Sequence, residues 1–325
     1  MTALGPAPET PPARERPVSL ETPVKRRRRN DEDATGEPPS WDDLYLYLGH
    51  KIMKSGMWQD NRKGRNIGIF GESFEVDVST HIPLLTLRRM PLRNTLNEFL
   101  WYLRGEDHVQ WLREQGNKYW DADADEDGWV GYNYGLLTHW PHQKGGHLNQ
   151  LEQILKKIQA GEVSRTWSIT LVKPDEKTKL ESCIVGLQFF CVGDRLDMKV
   201  DQRSCDFSLG LPNDVFAMAV LLHLVCKSSV GEGRAQVLKP GRLYWNFGHL
   251  HIYENNFKRT KELLERLPNP LRPQLRIRSN APLLLVLMSS GRELYTEDLW
   301  KIFEIVDYKP QSKMGGHAKW TQSGR

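Results

Sequence analysis

Thirteen residues, Gln202 to Asp214, gather more reactive groups than any other stretch of this 325-residue chain. They read Gln-Arg-Ser-Cys-Asp-Phe-Ser-Leu-Gly-Leu-Pro-Asn-Asp. Arg203 and Ser204 are anion ligands, Asp206 and Asp214 are carboxylates, and Gly210-x-Pro212 reads as a turn. Upstream, Cys183 stands in Glu-Ser-Cys-Ile-Val-Gly-Leu-Gln-Phe-Phe. A thiolate is a soft nucleophile whose pKa a neighbouring cation lowers. Thiol, arginine and base-sized hydrogen-bonding groups together suggest covalent chemistry on a small anionic ring compound.

Cys183 opens an apolar run after polar residues, which suits the edge of a cleft. Cys191 lies mid-strand and Cys226 within an apolar stretch, so both read as buried and inert. Cys205, beside Arg203 and Ser204, rivals Cys183 on spacing alone. Glu98 has two readings. As an ordinary exposed helix glutamate it does nothing; packed against Trp101 at i+3 and Tyr102 at i+4 it resists ionisation and suits general acid–base work. The acid run Asp121–Gly128 resembles a calcium loop, but its twelfth position, counted from Asp123, is Tyr134 instead of a bidentate glutamate. His249-x-His251 and the group His139, His142 and His147 lack a companion ligand at metal-binding spacing. No metal is expected.

These residues need elements to position them. Trp41–Lys54, Pro91–Arg104 and His147–Ala160 have helical apolar spacing, and Asp214–Ser228 is apolar almost throughout, as a buried central helix would be. Ser73–Val78, Thr166–Val172, Cys183–Val192, Arg195–Gln202 and Pro282–Met288 are strand candidates. Helices and strands mix without a βα repeat, which favours an α+β domain with a mixed sheet. Residues 1–40 are rich in Pro, Glu and Arg without apolar periodicity and read as a disordered tail, and 41–325 as one catalytic domain. The tail's seven basic and seven acidic side chains cancel, so the body carries the net charge of +4. That mild charge suits phosphorylated metabolites and does not require nucleic acid. The run Lys25–Arg29 is either a solvated tail segment, a nuclear address or an RNA contact. The four cysteines show no disulfide spacing, no apolar run reaches spanning length and no signal peptide opens the chain, so a reducing cytoplasm is expected.

Taken together, the motifs resemble the thymidylate synthase and deoxycytidylate hydroxymethylase family over about residues 41–310, in order. Asn61-Arg62-Lys63-Gly64 up to Ile69-Phe70-Gly71 resembles the family's phosphate loop with one residue deleted. Glu98-Phe-Leu-Trp-Tyr-Leu-Arg-Gly resembles its catalytic-glutamate helix, Tyr119-Trp120-Asp121 and Tyr134-Gly135 follow, and Ser164-Arg165 resembles the arginine loop lent by a partner subunit. Gln202–Asp206 and Gly248-His-Leu-His-Ile-Tyr253 are the strongest matches. The resemblance implies a homodimer, with 5,10-methylenetetrahydrofolate as one-carbon donor. It implies that Cys183 adds to pyrimidine carbon 6 with help from Arg203. Glu98 would move protons through water, and Tyr134 would help remove the carbon-5 proton. Arg62, Arg203 and Ser204 would hold the 5′-phosphate, with Arg165 reaching in from the partner. Gln202 and Asp214 would face the base, His251 and Tyr253 the sugar, and Trp120 and Asp206 the folate.

Asp214 occupies the position where uracil-reading relatives carry asparagine. An amide suits uracil, whereas a carboxylate accepts from the exocyclic amino group of cytosine and can share a proton with ring nitrogen 3. The implied substrate is deoxycytidylate and the implied reaction 5-hydroxymethylation. Cytidylate hydroxymethylation, deoxycytidylate methylation, thymidylate synthesis from dUMP and an inactive nucleotide- or RNA-binding relative are the alternatives. A one-residue slip onto Asn213 would restore the uracil reader. Further departures are Ile184 after the nucleophile, His249 for aspartate, Asp123 for a second tryptophan, Thr166 for a second arginine, and a polar, basic Lys313–Arg325.

Overall fold

Strand β9 (Lys239–Tyr253) is the spine of the protein, a computed structural model of which describes residues 39–142, 144–174, 178–278, 284 and 296–312. In chain order the elements are α1 (Trp41–Ser55), β1 (Met57–Asn61), β2 (Gly64–Phe70), β3 (Ser73–Asp77), α2 (Leu92–Leu103), α3 (Gln110–Glu114), β4 (Trp140–Pro141), β5 (His147–Leu148), α4 (Gln150–Gln159), β6 (Ser168–Thr170), β7 (Ile184–Val192), β8 (Arg195–Asp206), α5 (Gly210–Lys227), β9, α6 (Glu254–Leu264), β10 (Gln274–Ile277), α7 (Thr296–Ile302) and β11 (Phe303–Val306). The principal sheet runs β1-β2-β9-β8-β7-β6, and β3 also pairs with β9. Antiparallel β2 and β3 share one side of β9, while β8 lies parallel along the other. The architecture is the α+β mixed sheet that the resemblance implies.

Local chemistry explains the elements that matter most. Ser40 caps α1: its Oγ accepts from the Asp43 N–H at 3.2 Å, and Asp43 Oδ2 accepts from the Ser40 N–H at 3.0 Å. The β1–β2 turn closes at Gly64, whose φ of 118° excludes most side chains, so the hairpin presents Arg62 and Lys63 at its tip. Gly248 lies where β9 passes from β3 to β2. A Cβ there would fall 2.4 Å from the Arg203 carbonyl, so only glycine lets β8 and β9 approach at the site. α5 is long and apolar enough to span a membrane, but 72% of it is buried inside the protein, which makes it the core helix.

Several boundaries differ from expectation. α5 starts at Gly210, not Asp214, because Pro212 is tolerated in a first helical turn where its missing N–H has no intrahelical partner to lose. The Gly-Leu-Pro segment is therefore helix instead of a free turn. β8 continues through Asp206, and α4 begins at Gln150 after an Asn149 cap, with His147–Leu148 paired as β5. β9 itself was not foreseen as a strand. Of the expected strand Pro282–Met288 only Leu284 lies within the described residues, and it is buried and helical. Residues 1–38 and Lys313–Arg325 lie outside the described residues.

Candidate active site

Parallel pairing aligns Gln202 with Phe247, Ser204 with His249 and Asp206 with His251. Because side chains alternate along a strand, Gln202, Ser204 and Asp206 share one face of β8 and Arg203 the other. Gln202 is buried and fully oriented. The Trp245 indole N–H donates to Gln202 Oε1 at 3.0 Å, which turns the amide nitrogen toward α5, where it donates to Asp214 Oδ2 at 2.7 Å. Neighbouring Asn213 points elsewhere. Its Oδ1 accepts from the Thr95 hydroxyl on α2 at 2.9 Å, and its Nδ2 donates to the Leu209 carbonyl at 3.0 Å. The residue presented beside Gln202 is thus Asp214. Burial, with Glu98 and Asp206 adding negative charge, lifts its carboxyl to about 8 despite the Gln202 hydrogen bond.

Cys183 is half-buried, while Cys191, Cys205 and Cys226 are buried. Burial pushes its thiol up to about 11. Arg203 and Lys63 pull it down, but less than burial pushes; Asp214 and Asp123 push the same way as burial. Arg203 thus acts in the expected direction on the thiol, against a larger opposing effect of burial. Arg203 also clamps the chain: its Nε donates to the Ser182 carbonyl (3.1 Å), its Nη2 to the Glu181 carbonyl (2.7 Å), and its backbone N–H to the Cys183 carbonyl (2.9 Å). From the opposite side, Tyr134 Oη accepts the N–H groups of Cys183 (3.0 Å) and Ile184 (3.1 Å). Both phenol lone pairs are thereby occupied, and burial holds the hydroxyl neutral, well above its ordinary pKa. This oxygen has a proton to give and no lone pair with which to take one.

Glu98 sits on α2 among aromatic rings. Its Oε1 accepts from the Trp120 indole N–H at 2.7 Å, and the Tyr102 hydroxyl also bonds it. Burial nevertheless raises its pKa. The Tyr102 ring lies 4.4 Å from Tyr134, and Trp120 meets Tyr134 edge-on at 5.9 Å. Asp206 Oδ1 accepts from the Ser208 N–H at 2.8 Å ahead of α5, and burial lifts this carboxyl to about 6. Tyr253 is buried and feels Asp206, Cys183, Asp123 and Arg62, so these groups share one neighbourhood. His251 is buried and stacks on His249 at 5.0 Å; among the described residues neither of its ring nitrogens has a geometrically good hydrogen-bond partner. Burial and His249 lower it to about 4, so it is neutral. Ser204 is half-buried beside His249. Arg62 is exposed at the hairpin tip. Arg165 is exposed in the loop before β6, its carbonyl bound by Gln188 Nε2 at 2.9 Å.

The profile of the family described as Thymidylate synthase matches residues 43–318. The chain belongs to the thymidylate synthase family. It is 29% identical over 279 residues to the thymidylate synthase of Buchnera aphidicola subsp. Schizaphis graminum (strain Sg), an alignment covering 84% of this chain and 97% of that protein. Members of the thymidylate synthase family are one-carbon transferases that act as dimers on small molecules, with methylenetetrahydrofolate as donor. The residues present fit that donor: a flat pteridine needs a ring to lie against and acceptors for its N–H groups, and Trp120 and the Asp206 carboxyl offer both.

Sequence reasoning missed several members of the site. Trp245 orients Gln202, and Thr95 occupies Asn213. Lys63 Nζ pairs with Asp123 Oδ1 across 60 residues of sequence, with each side chain only 14% exposed. No local pattern signals such long-range partners. The acid run does not form a cation loop: Asp125 Oδ1 caps the N–H groups of Asp127 (3.1 Å) and Trp129 (2.8 Å). Among the described residues no group of three or more His, Cys, Asp or Glu side chains has metal-binding geometry.

Proposed function

We propose that this thymidylate synthase family member hydroxymethylates carbon 5 of deoxycytidylate. The observation that carries the reading is the presentation of Asp214 by Gln202 while Asn213 is engaged by Thr95. As a neutral acid, Asp214 offers one acceptor and one donor, which match the amino group and ring nitrogen 3 of cytosine. As an anion it still accepts from the cytosine amino group or from the uracil ring N–H, and loses the bond to ring nitrogen 3 of cytosine or to the oxygen at position 4 of uracil. A buried mismatch of this kind costs about 1–3 kcal/mol for each unpaired group. The raised pKa of Asp214 also favours a second reading, thymidylate synthesis from dUMP, because the neutral acid can present its donor to uracil.

In the proposed reaction, Cys183 Sγ bonds to carbon 6 and makes carbon 5 nucleophilic. The thiol is neutral before the substrate binds, so its proton passes to water as the sulfur–carbon bond forms, and Arg203 lowers the cost of the developing thiolate. Two of the five guanidinium N–H groups of Arg203 are spent on carbonyls, leaving three for the 5′-phosphate beside Arg62, Ser204 and the partner's lent arginine loop. Glu98, whose pKa burial raises, exchanges protons with water near the base. Tyr134 fixes the nucleophile's backbone and donates its hydroxyl proton, and His251 and Tyr253 meet the sugar hydroxyl. Bound methylenetetrahydrofolate supplies the one-carbon unit. The cytoplasm, where nucleotides and folates occur, is the proposed location.

The test is tritium release from carbon-5-labelled dCMP, CMP and dUMP with methylenetetrahydrofolate, with mass spectrometry of the product. Release from dCMP with a hydroxymethyl product is expected. Release from dUMP alone would replace this reading with thymidylate synthesis, and no release from any of the three would leave a binding protein. Asp214→Asn is expected to shift preference toward dUMP by on the order of 100-fold or more. Cys183→Ala is expected to abolish release while nucleotide binding persists.

A further inference from the structure

The Lys63–Asp123 pair has no part in the chemistry described so far, yet it stands beside the nucleophile. Asp123 ends a tight turn that starts at Trp120, with its N–H donating to the Trp120 carbonyl at 3.0 Å, and Trp120 in turn holds Glu98. The next residue is tied to the segment that leads to Cys183, because Lys179 Nζ donates to the Ala124 carbonyl at 2.6 Å. Lys63 reaches over from the tip of the β1–β2 hairpin. The turn is thus fastened on three sides: to α2 through Glu98, to the Cys183 segment and to the hairpin. Of the Asp123 carboxylate oxygens, Oδ1 is taken by Lys63, while Oδ2 makes no hydrogen bond among the described residues. A rigidly held, half-satisfied carboxylate close enough to Cys183 to act on its charge is equipped to hold a water molecule.

We infer that Asp123 decides the product: its free carboxylate oxygen positions the water that captures the one-carbon unit and accepts that water's proton. The inference rests on the hydroxymethylation reading. At the deciding stage the pyrimidine carries an exocyclic CH2= group at carbon 5 and the Cys183 sulfur at carbon 6. The water oxygen bonds to the CH2 carbon, the carbon–carbon π pair shifts into the ring toward position 4, and one water proton passes to Asp123. The ring pair then forms the 5,6 double bond as the carbon–sulfur bond breaks, and the departing thiolate recovers the proton from Asp123. Nothing is oxidised or reduced on this route, whereas a methyl product requires a hydride and yields dihydrofolate. Lys63 is the positioning residue, because it fixes the carboxylate without touching the reacting atoms.

The experiment uses the full chain with dCMP and methylenetetrahydrofolate and reads hydroxymethylated product per tritium released. Asp123→Asn is expected to lower that ratio on the order of 100-fold, the scale of a lost general base, with methylated product or dihydrofolate appearing in its place. Asp123→Glu should restore most of it. A second readout needs no turnover: the pH profile of Cys183 alkylation by iodoacetamide. The groups facing the thiol are Arg203, Asp214, Asp123 and Lys63. Asp123→Asn should therefore move the profile to lower pH and Lys63→Met to higher pH. Wild-type protein that releases tritium while Asp123→Asn leaves both the product ratio and the alkylation profile unchanged would overturn this inference alone. Wild-type protein that releases no tritium from dCMP would overturn the hydroxymethylation reading, and this inference with it.

Discussion

At the scale of single residues, charge is settled by burial against partners, and burial wins at Cys183, Glu98 and Asp214. The consequence is sharpest at Asp214, whose carboxyl titrates at about 8. Below that value the acid is protonated and pairs with either pyrimidine. Above it the anion can no longer donate, so cytidylate loses the bond to ring nitrogen 3 just as uridylate loses the bond to its oxygen at position 4. Turnover of either nucleotide is therefore expected to fall as pH rises through about 8. The kcat/KM for tritium release from each nucleotide, measured on both sides of that value, checks it. A profile that shows no fall there in wild type would remove Asp214 from base reading. Cys183 makes a companion case. Arg203 is the first of the influences lowering its pKa of about 11, so Arg203→Ala should shift alkylation of Cys183 to still higher pH in the nucleotide-free protein.

Elements matter because they hold these groups in register. α2 carries Glu98 and α5 carries Asp214, and the Thr95–Asn213 hydrogen bond joins the two helices within one turn of each carboxyl. β9 contributes Trp245, which never meets the substrate but sets which end of Gln202 faces Asp214. Trp245→Phe frees the amide to flip its oxygen toward the Asp214 carboxyl. The variant is expected to lose discrimination between dCMP and dUMP more than it loses overall turnover, as competition between the two nucleotides would reveal; an unchanged ratio would make Trp245 a packing residue only. Tyr134→Phe leaves the Cys183 and Ile184 N–H groups without their acceptor, at about 1–3 kcal/mol for each such buried donor. A fall in the denaturation midpoint together with a loss of turnover is the expected outcome.

Much of this was legible in the chain itself. The Tyr102 contact of Glu98 follows from i+4 spacing on one helix, though its indole partner Trp120 does not, and Cys183 stands out from Cys191 and Cys226 by the polar residues before it. What escaped is equally instructive. β9 contains Pro240, Gly241, Asn246, Gly248, His249 and His251, residues with poor or indifferent strand propensity, yet it is the central strand. Pairing along both edges with β8, β2 and β3 overrides local preference there. The Lys63–Asp123, Gln202–Trp245 and Thr95–Asn213 pairs join distant segments, and no window of sequence contains both partners.

At the scale of the whole molecule, the expected phosphate ligand Arg165 raises the question of the second subunit. Arg165 is exposed, and Gln188 on β7 holds its backbone. Farther along β7, on the face that alternation shares with Gln188, Phe190 and Val192 are 43% and 46% exposed, and on β9 Tyr244 is 36% exposed. An open sheet face with exposed apolar side chains beside an exposed arginine fits a family that acts as a dimer. If a partner covers that face, Arg165 serves the partner's phosphate instead of its own. Arg165→Ala and Cys183→Ala homodimers should then both be inactive, yet mixing them should revive turnover. In a mixed dimer, one site pairs an intact Cys183 with an intact Arg165 from across the interface, while the other site has lost both. Random exchange should therefore restore roughly a quarter of wild-type activity under two-fold symmetry. Were Arg165 to act within its own chain, every site in the mixture would lack one residue, and no activity would return.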